Sequence, residues 1–109
     1  MIADRRTSVA FTGHRTYRGA AADALRRTVG ELYARGFRNF LSGMAVGFDL
    51  AAAEAVLELR ERVPGVRLVA AVPFRGQEMR FSPADRERFR RVLAEADSVE
   101  VLAPAYHRG

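Results

Sequence analysis

Residues 41–59 read LSGMAVGFDLAAAEAVLEL, in which the end of an apolar strand runs through a glycine turn into a helix. Gly43 and Gly47 bracket the turn, and small or aliphatic residues follow at the spacing of a helix that packs on a sheet. Two interpretations of this turn are open. Its backbone N–H groups hold the phosphate of a nucleotide, or its glycines serve only a tight reversal and close helix packing, with Asp49 as a helix cap or a first-turn partner of the helix dipole.

The same strand, turn and helix pattern extends along the chain on both sides of this stretch. Apolar alternation and helical periodicity predict the order β-α-β-α-β-α-β, with strands at 8–12, 38–41, 66–72 and 98–102 and helices at 20–35, 48–62 and 83–96. Helices that alternate with strands indicate a mainly parallel sheet. Right-handed crossovers then predict a Rossmann-like three-layer α/β sandwich with helices on both faces of the sheet.

Length and composition limit the class of protein. The 109 residues predict one domain over 1–109, and 49% hydrophobic with 28% charged residues is ordinary for a globular chain. No apolar run reaches the roughly 20 residues that a membrane helix requires. No cysteine is present, which excludes disulfides and thiolate metal sites, and we find no metal-ligand spacing of another kind. We expect a cytoplasmic protein without a metal.

The basic charge has two interpretations. The formal net charge is +5, and all 18 basic residues are arginines. Arginine binds phosphate well, so the run at 86–91 with Phe81 and Tyr106 nearby permits a nucleic-acid interface. The preferred interpretation is a solvated helix face on which Glu87 pairs with Arg91, as Glu58 pairs with Arg62 on the preceding helix. The use of arginine without lysine then reflects a GC-rich genome.

A sheet of only four strands is small for a doubly wound fold. It leaves a hydrophobic edge and face without a cover. We therefore expect either that the chain is part of a larger domain or that it pairs with a copy of itself as a homo-oligomer.

Three turns follow the carboxyl ends of the predicted strands, where open parallel sheets bind their ligands. These turns are TGHR at 12–15, SGMAVGFD at 42–49 and PFRGQ at 73–77. His14 is a candidate acid or base but is more simply an exposed loop residue. Asp49 and Glu54 lie on different sides of a helix, so they do not form an acid–base pair, but either suits a ribose hydroxyl.

The three turns together resemble the YpsA-like family (DUF1273) of the SLOG superfamily, alongside the DprA/Smf and LOG proteins. The resemblance covers nearly the whole chain, including FSPADRERFRRVLAEADSVEVL at 81–102. It implies a bacterial Rossmann-like domain that binds a nucleotide or a derivative such as ADP-ribose or NAD. Matched motif by motif, the implied ligand residues are Gly13, His14, Arg15, Ser42, Gly43, Met44, Gly47, Asp49 and Glu54, with Pro73, Phe74 and Gln77 on the third turn.

The resemblance implies a role in ligand sensing or signalling without catalysis. Two alternatives stay open: an N-glycosidic hydrolase of nucleoside monophosphates, as in the LOG proteins, and a single-stranded DNA module, as in DprA. Family members continue past the YHRG at 106–109 with further strands and a second glycine-rich segment. The resemblance therefore predicts a C-terminally truncated domain with half of the ligand-binding edge.

Overall fold

The chain forms strands and helices in strict alternation in a computed structural model, which describes residues 7–11 and 22–102. The strands are β1 (Ser8–Phe11), β2 (Asn39–Ser42), β3 (Arg67–Val72) and β4 (Ser98–Val101). The helices are α1 (Ala22–Ala34), α2 (Phe48–Arg60) and α3 (Pro83–Glu95), and a short 3₁₀ turn, Gln77–Arg80, precedes α3. The predicted order is confirmed, and the 3₁₀ turn is the element that periodicity did not predict. In the part of the chain described, no helix has the length and apolar character needed to cross a membrane.

The sheet is parallel throughout the described strands. Its spatial order is β1-β2-β3-β4, and the register pairs Val9 with Phe40, Phe40 with Leu68, and Ala70 with Val99. Every strand thus lies beside the strand that precedes it in the chain. The predicted Rossmann-like α/β class and parallel sheet are confirmed.

The three described helices lie side by side on one face of the sheet, with α2 between α1 and α3. The prediction placed helices on both faces, and the strand order explains the difference. Helices change face only where the strand order reverses direction, because each right-handed crossover that steps the same way leaves its helix on the same side. The order β1-β2-β3-β4 contains no reversal, so the described residues form two layers.

The hydrophobic core fills the space between this helix layer and the sheet. Phe40 and Leu68 contribute from the strands, Leu50 and Val56 from α2, and Val29 from α1, all without solvent exposure. Because α2 is central, it buries residues on most of its circumference. This is why its sequence, FDLAAAEAVLELR, is more uniformly apolar than those of α1 and α3.

A helix cap and a ring contact fix the start of helix α3. The Ser82 hydroxyl accepts the Asp85 N–H at 3.2 Å, with Pro83 in the first turn, as the sequence predicts for a helix start. The ring of Phe89 meets that of Phe81 edge to face, with centroids 5.5 Å apart. These contacts fix the end of the loop that leaves β3.

The charged pairs between helices differ from the predicted pairs within them. Glu58 accepts from Arg26 of α1 at 2.9 Å, and not from Arg62, because α2 ends at Arg60. On α3 the paired arginine is Arg88, so the predicted pair of Glu87 with Arg91 is wrong. Both predictions considered one helix in isolation, whereas the pairs between helices join Glu58 to α1 and Arg88 to α2.

Candidate functional site

Two of the three predicted turns lie at the carboxyl edge of the sheet, one after β2 and the other after β3. The β2–α2 loop, residues 43–47, connects the last residue of β2 to the first turn of α2. The β3–α3 loop, residues 73–82, contains the 3₁₀ turn. The first turn, with Gly13, His14 and Arg15, lies outside the described residues, so these three remain predictions.

Ser42 closes the β2–α2 loop with its side chain. It has no solvent exposure, and its Oγ donates to the Asp49 carbonyl at 3.0 Å and accepts the Met44 N–H at 3.1 Å. The single hydroxyl proton is therefore committed inside the protein. Ser42 holds the loop against the start of α2 and has no proton to offer a ligand in this conformation.

Two residues of the β2–α2 loop have backbone conformations that residues with a side chain rarely adopt. Met44 has a φ of 64° although it is not a glycine, and its side chain is fully buried. Gly47, which precedes α2, has φ 91° and ψ −121°, a region that only glycine occupies readily. A loop that retains such a conformation at Met44 is held by its surroundings, and residues of this kind cluster at binding sites.

Gly43 leaves space that the Asp49 side chain fills, and its own φ angle is not positive. A Cβ at this position would lie 2.9 Å from Oδ2 of Asp49, so the carboxylate would have to shift. Asp49 is buried in the first turn of α2, with its carboxylate against the Gly43 backbone. The positive end of the α2 dipole thus has a negative group from the protein itself. Asp49 thus has the second of its two predicted roles, a first-turn partner of the helix dipole, and Gly47 holds the cap position without a side-chain bond.

Gln77 joins the β3–α3 loop to the β2–α2 loop. Its Nε2 donates to the Met44 carbonyl at 2.8 Å, and only 8% of the residue is exposed. Its Oε1 is buried and, within the described part of the chain, accepts no hydrogen bond. An unsatisfied buried acceptor costs about 1–3 kcal/mol, so such groups are uncommon outside functional positions. Phe74, half-buried in the same loop, is also held by contacts.

Glu54 lies apart from this edge, on the side of α2 that meets α3. Arg88 donates to both of its carboxylate oxygens, at 2.9 and 2.7 Å, and also binds Asp85 at 3.0 Å. The hydrogen bond from Arg88 to Glu54 raises the pKa of the guanidinium above its ordinary value, against the opposing effect of partial burial. Glu54, one of the predicted ligand residues, is therefore already held by α3.

We expect the Glu54–Arg88 pair to contribute modestly to stability. Both side chains are 34% exposed, so solvent screens their attraction. A double-mutant cycle of Glu54→Gln and Arg88→Met, followed by urea unfolding, should give a coupling free energy of about 0.5–1 kcal/mol. The coupling should fall in about 1 M salt, and a value that does not change with salt would contradict this assignment.

A cleft of about 360 Å³ lies between α2 and α3, on the outer side of the helix layer. Its lining is mostly acidic over an apolar floor and consists of Glu54, Leu57, Glu58, Glu61, Arg91, Val92 and Glu95. Periodicity along the sequence does not predict this cleft, because the residues of two separate helices form it together. In the described chain no group of three or more carboxylate, histidine or cysteine side chains is placed to hold a metal ion.

The fold and the edge define the class of protein. A parallel sheet with a glycine-bearing, partly strained loop at the carboxyl ends of its strands is a Rossmann-like domain. The sequence model of the YspA SLOG family (YpsA) matches residues 9–109, so the chain belongs to this family.

Relatives of the chain are UPF0398 proteins of bacteria. A UPF0398 protein of Bacillus pumilus is 33% identical over 76 residues, which cover 70% of this chain and 41% of that protein. A UPF0398 protein of Halalkalibacterium halodurans is 29% identical over 86 residues, which cover 79% of this chain and 46% of that protein. The UPF0398 protein YpsA of Bacillus subtilis is 36% identical over 52 residues, which cover 48% of this chain and 29% of that protein. The chain thus matches less than half the length of these curated relatives.

Proposed function

We propose that this domain binds a nucleotide or a nucleotide-derived molecule, such as ADP-ribose, NAD or a nucleoside monophosphate, and acts in sensing rather than catalysis. The observation that carries the proposal is the connection between Gln77 and the β2–α2 loop. There a buried amide donates to the carbonyl of the strained Met44, and its own buried oxygen has no hydrogen-bond partner in the described chain. The position, beyond the carboxyl ends of two adjacent parallel strands, is where Rossmann-like sheets take ligands.

The chemistry of the described groups favours one part of such a ligand at this loop. The Asp49 carboxylate and the Gln77 Oε1 are both hydrogen-bond acceptors. Acceptors suit the hydroxyls of a ribose or an amino group of a base, and they repel phosphate oxygens. The Ser42 hydroxyl is already committed within the loop. We therefore assign the phosphate to the first turn, with Gly13 and Arg15, and the nucleoside part to the loop after β2.

The two alternatives from the sequence receive no specific support from the described residues. A single-stranded DNA module would need the arginines of α3 gathered for phosphate, but Arg88 is held by Glu54 and Asp85. The hydrolase hypothesis would require a group placed for acid–base catalysis, and His14, its candidate, lies outside the described residues. Binding without catalysis is therefore the function proposed.

Binding is tested by calorimetry and thermal shift with ADP-ribose, NAD, AMP and IMP. We expect at least one of them to bind and to raise the melting temperature. Gln77→Met keeps the length of the side chain but removes its polar atoms, and should weaken binding about tenfold, since the ligand loses one buried hydrogen bond. Arg90→Glu, on the exposed side of α3, is the control and should leave binding unchanged.

No binding by any of the four compounds at about 1 mM would reject the proposal, because that limit corresponds to about −4 kcal/mol. Full binding by a folded Gln77→Met variant would reject this loop as the site. Circular dichroism of each variant separates lost folding from lost binding.

A further inference from the structure

The face of the sheet opposite the helices has a side-chain pattern of its own. In a parallel sheet, paired residues point to the same side, and the fully buried Phe40, Leu68 and Ala70 point to the helices. The alternate residues therefore form the opposite face, which none of the three described helices covers. Its central row, across β1, β2 and β3, is Ala10, Leu41 and Val69. We call this surface the open face.

Two charged residues flank the apolar row on the open face. Arg67 lies on β3, one row toward the amino ends of the strands, and Glu100 lies on β4, one row toward the carboxyl ends. Within residues 7–11 and 22–102 neither of them makes an ion pair. The open face thus carries a positive and a negative charge on opposite sides of the row of Ala10, Leu41 and Val69, which Ser98 completes on β4.

Parallel sheets are normally covered on both faces, and their strands are accordingly rich in apolar residues on both sides. The segment VRLVAAV at 66–72 has this composition, and Val69 and Ala71 on the open face are only half-exposed or less. A sheet face of this kind gains free energy when another surface excludes water from it. The arrangement of charges indicates which surface that is.

We propose that the open face binds the open face of a second copy of this chain, in a two-fold symmetric dimer. The axis runs along the central row, perpendicular to the strands. It stacks Leu41 and Val69 on their own copies and exchanges the two flanking rows. Arg67 of each copy then lies about one strand spacing, roughly 4.8 Å, sideways from Glu100 of the other, across sheets about 10 Å apart. The long side chains of arginine and glutamate span that distance and form two equivalent ion pairs.

The symmetry of the pattern is the reason to choose a second copy as the occupant. An isologous interface requires each patch to complement itself after a two-fold rotation. Apolar residues on the axis, with opposite charges on either side of it, satisfy that requirement. A different polypeptide on this face would not need Arg67 and Glu100 to lie on opposite sides of a two-fold axis. One such polypeptide is a segment equivalent to the part of the longer relatives that this chain does not match.

The proposed dimer is tested by sedimentation velocity at chain concentrations between about 5 and 500 µM. This range covers the dissociation constants expected for a small interface between short strands. We expect a dimer at the upper end that dissociates on dilution. Arg67→Glu places two acidic residues together and should weaken dimerisation at least tenfold. Arg67→Glu with Glu100→Arg restores opposite charges and should recover most of the affinity. Arg90→Glu makes the same charge change on α3, away from the open face, and should have no such effect.

A chain that stays monomeric at about 500 µM would overturn the proposal, since an interface that weak does not act in a cell. A dimer that Arg67→Glu does not weaken, or that the double reversal does not recover, would place the interface elsewhere. Leu41→Glu, monitored by circular dichroism, supplies a second disruption at the axis. Because none of these residues belongs to the proposed ligand edge, this outcome is independent of nucleotide binding.

Discussion

Met44→Ala is expected to lower the free energy of unfolding by about 2–5 kcal/mol, the range for removing a large apolar side chain from a core. Met44 is fully buried, so its removal leaves a cavity beneath the β2–α2 loop. The loop above it is also held by the Gln77 bond to the Met44 carbonyl and cannot readily collapse into the space. Urea unfolding of the variant measures the loss.

Met44→Gly separates the side chain of this residue from its backbone. Inside a helix or strand, a protein with glycine is less stable to unfolding than one with alanine by about 0.5–1 kcal/mol. At a φ of 64° the order should reverse, since alanine keeps a left-handed penalty of about 1–2 kcal/mol that glycine lacks. We therefore expect Met44→Gly to be about 1 kcal/mol more stable than Met44→Ala. If alanine proves the more stable, Met44 does not carry the backbone strain assigned to it.

Gly43→Ala is expected to cost about 1–3 kcal/mol, as overpacking of a closely packed site does. The added methyl group would lie 2.9 Å from the Asp49 carboxylate, which must move away from the start of α2. Because Asp49 is proposed to bind the ligand, nucleotide affinity should fall as well. The measurements are urea unfolding and calorimetry on the same preparation.

Gly30→Ala is the matched control for this substitution. Gly30 lies inside α1, and a Cβ there would meet nothing within 4 Å. Alanine should stabilise that helix by about 0.5–1 kcal/mol. In an Asp49→Ala background the cost of Gly43→Ala should shrink, because the atom it would strike is gone. An unchanged cost in that background would show that the Asp49 contact is not the cause.

The strands and helices could be predicted closely because local patterns determine them. The Ser82 and Pro83 signal set the start of α3, and the apolar run before Pro73 set β3. The number of layers depends on strand order, which periodicity does not contain. The same limitation applies to Glu54, whose neighbour Arg88 is 34 residues away in sequence.

The residues of the candidate site stay a prediction, and the contacts of two of them differ from those expected. Gly43 was expected to leave room for a phosphate, whereas in the structure the room is taken by Asp49. Ser42 was expected to face a ligand and instead bonds within the loop. The spacing of residues in the sequence does not tell whether the space beside Gly43 and the Ser42 hydroxyl serve a ligand or the protein's own groups. The part of the site formed by Gly13, His14 and Arg15 stays a prediction.

The strand order also has a consequence for how the chain folds. Ser8 pairs with Asn39, Asn39 with Arg67, and Val69 with Ser98, so each pairing closes a loop of about 30 residues. None of the four described strands has to insert between two others that have already paired. The sheet can therefore grow from one edge to the other by successive addition of similar units, as in a repeat protein. Each of these pairings still joins residues far apart in the chain, and parallel sheets fold slowly for that reason.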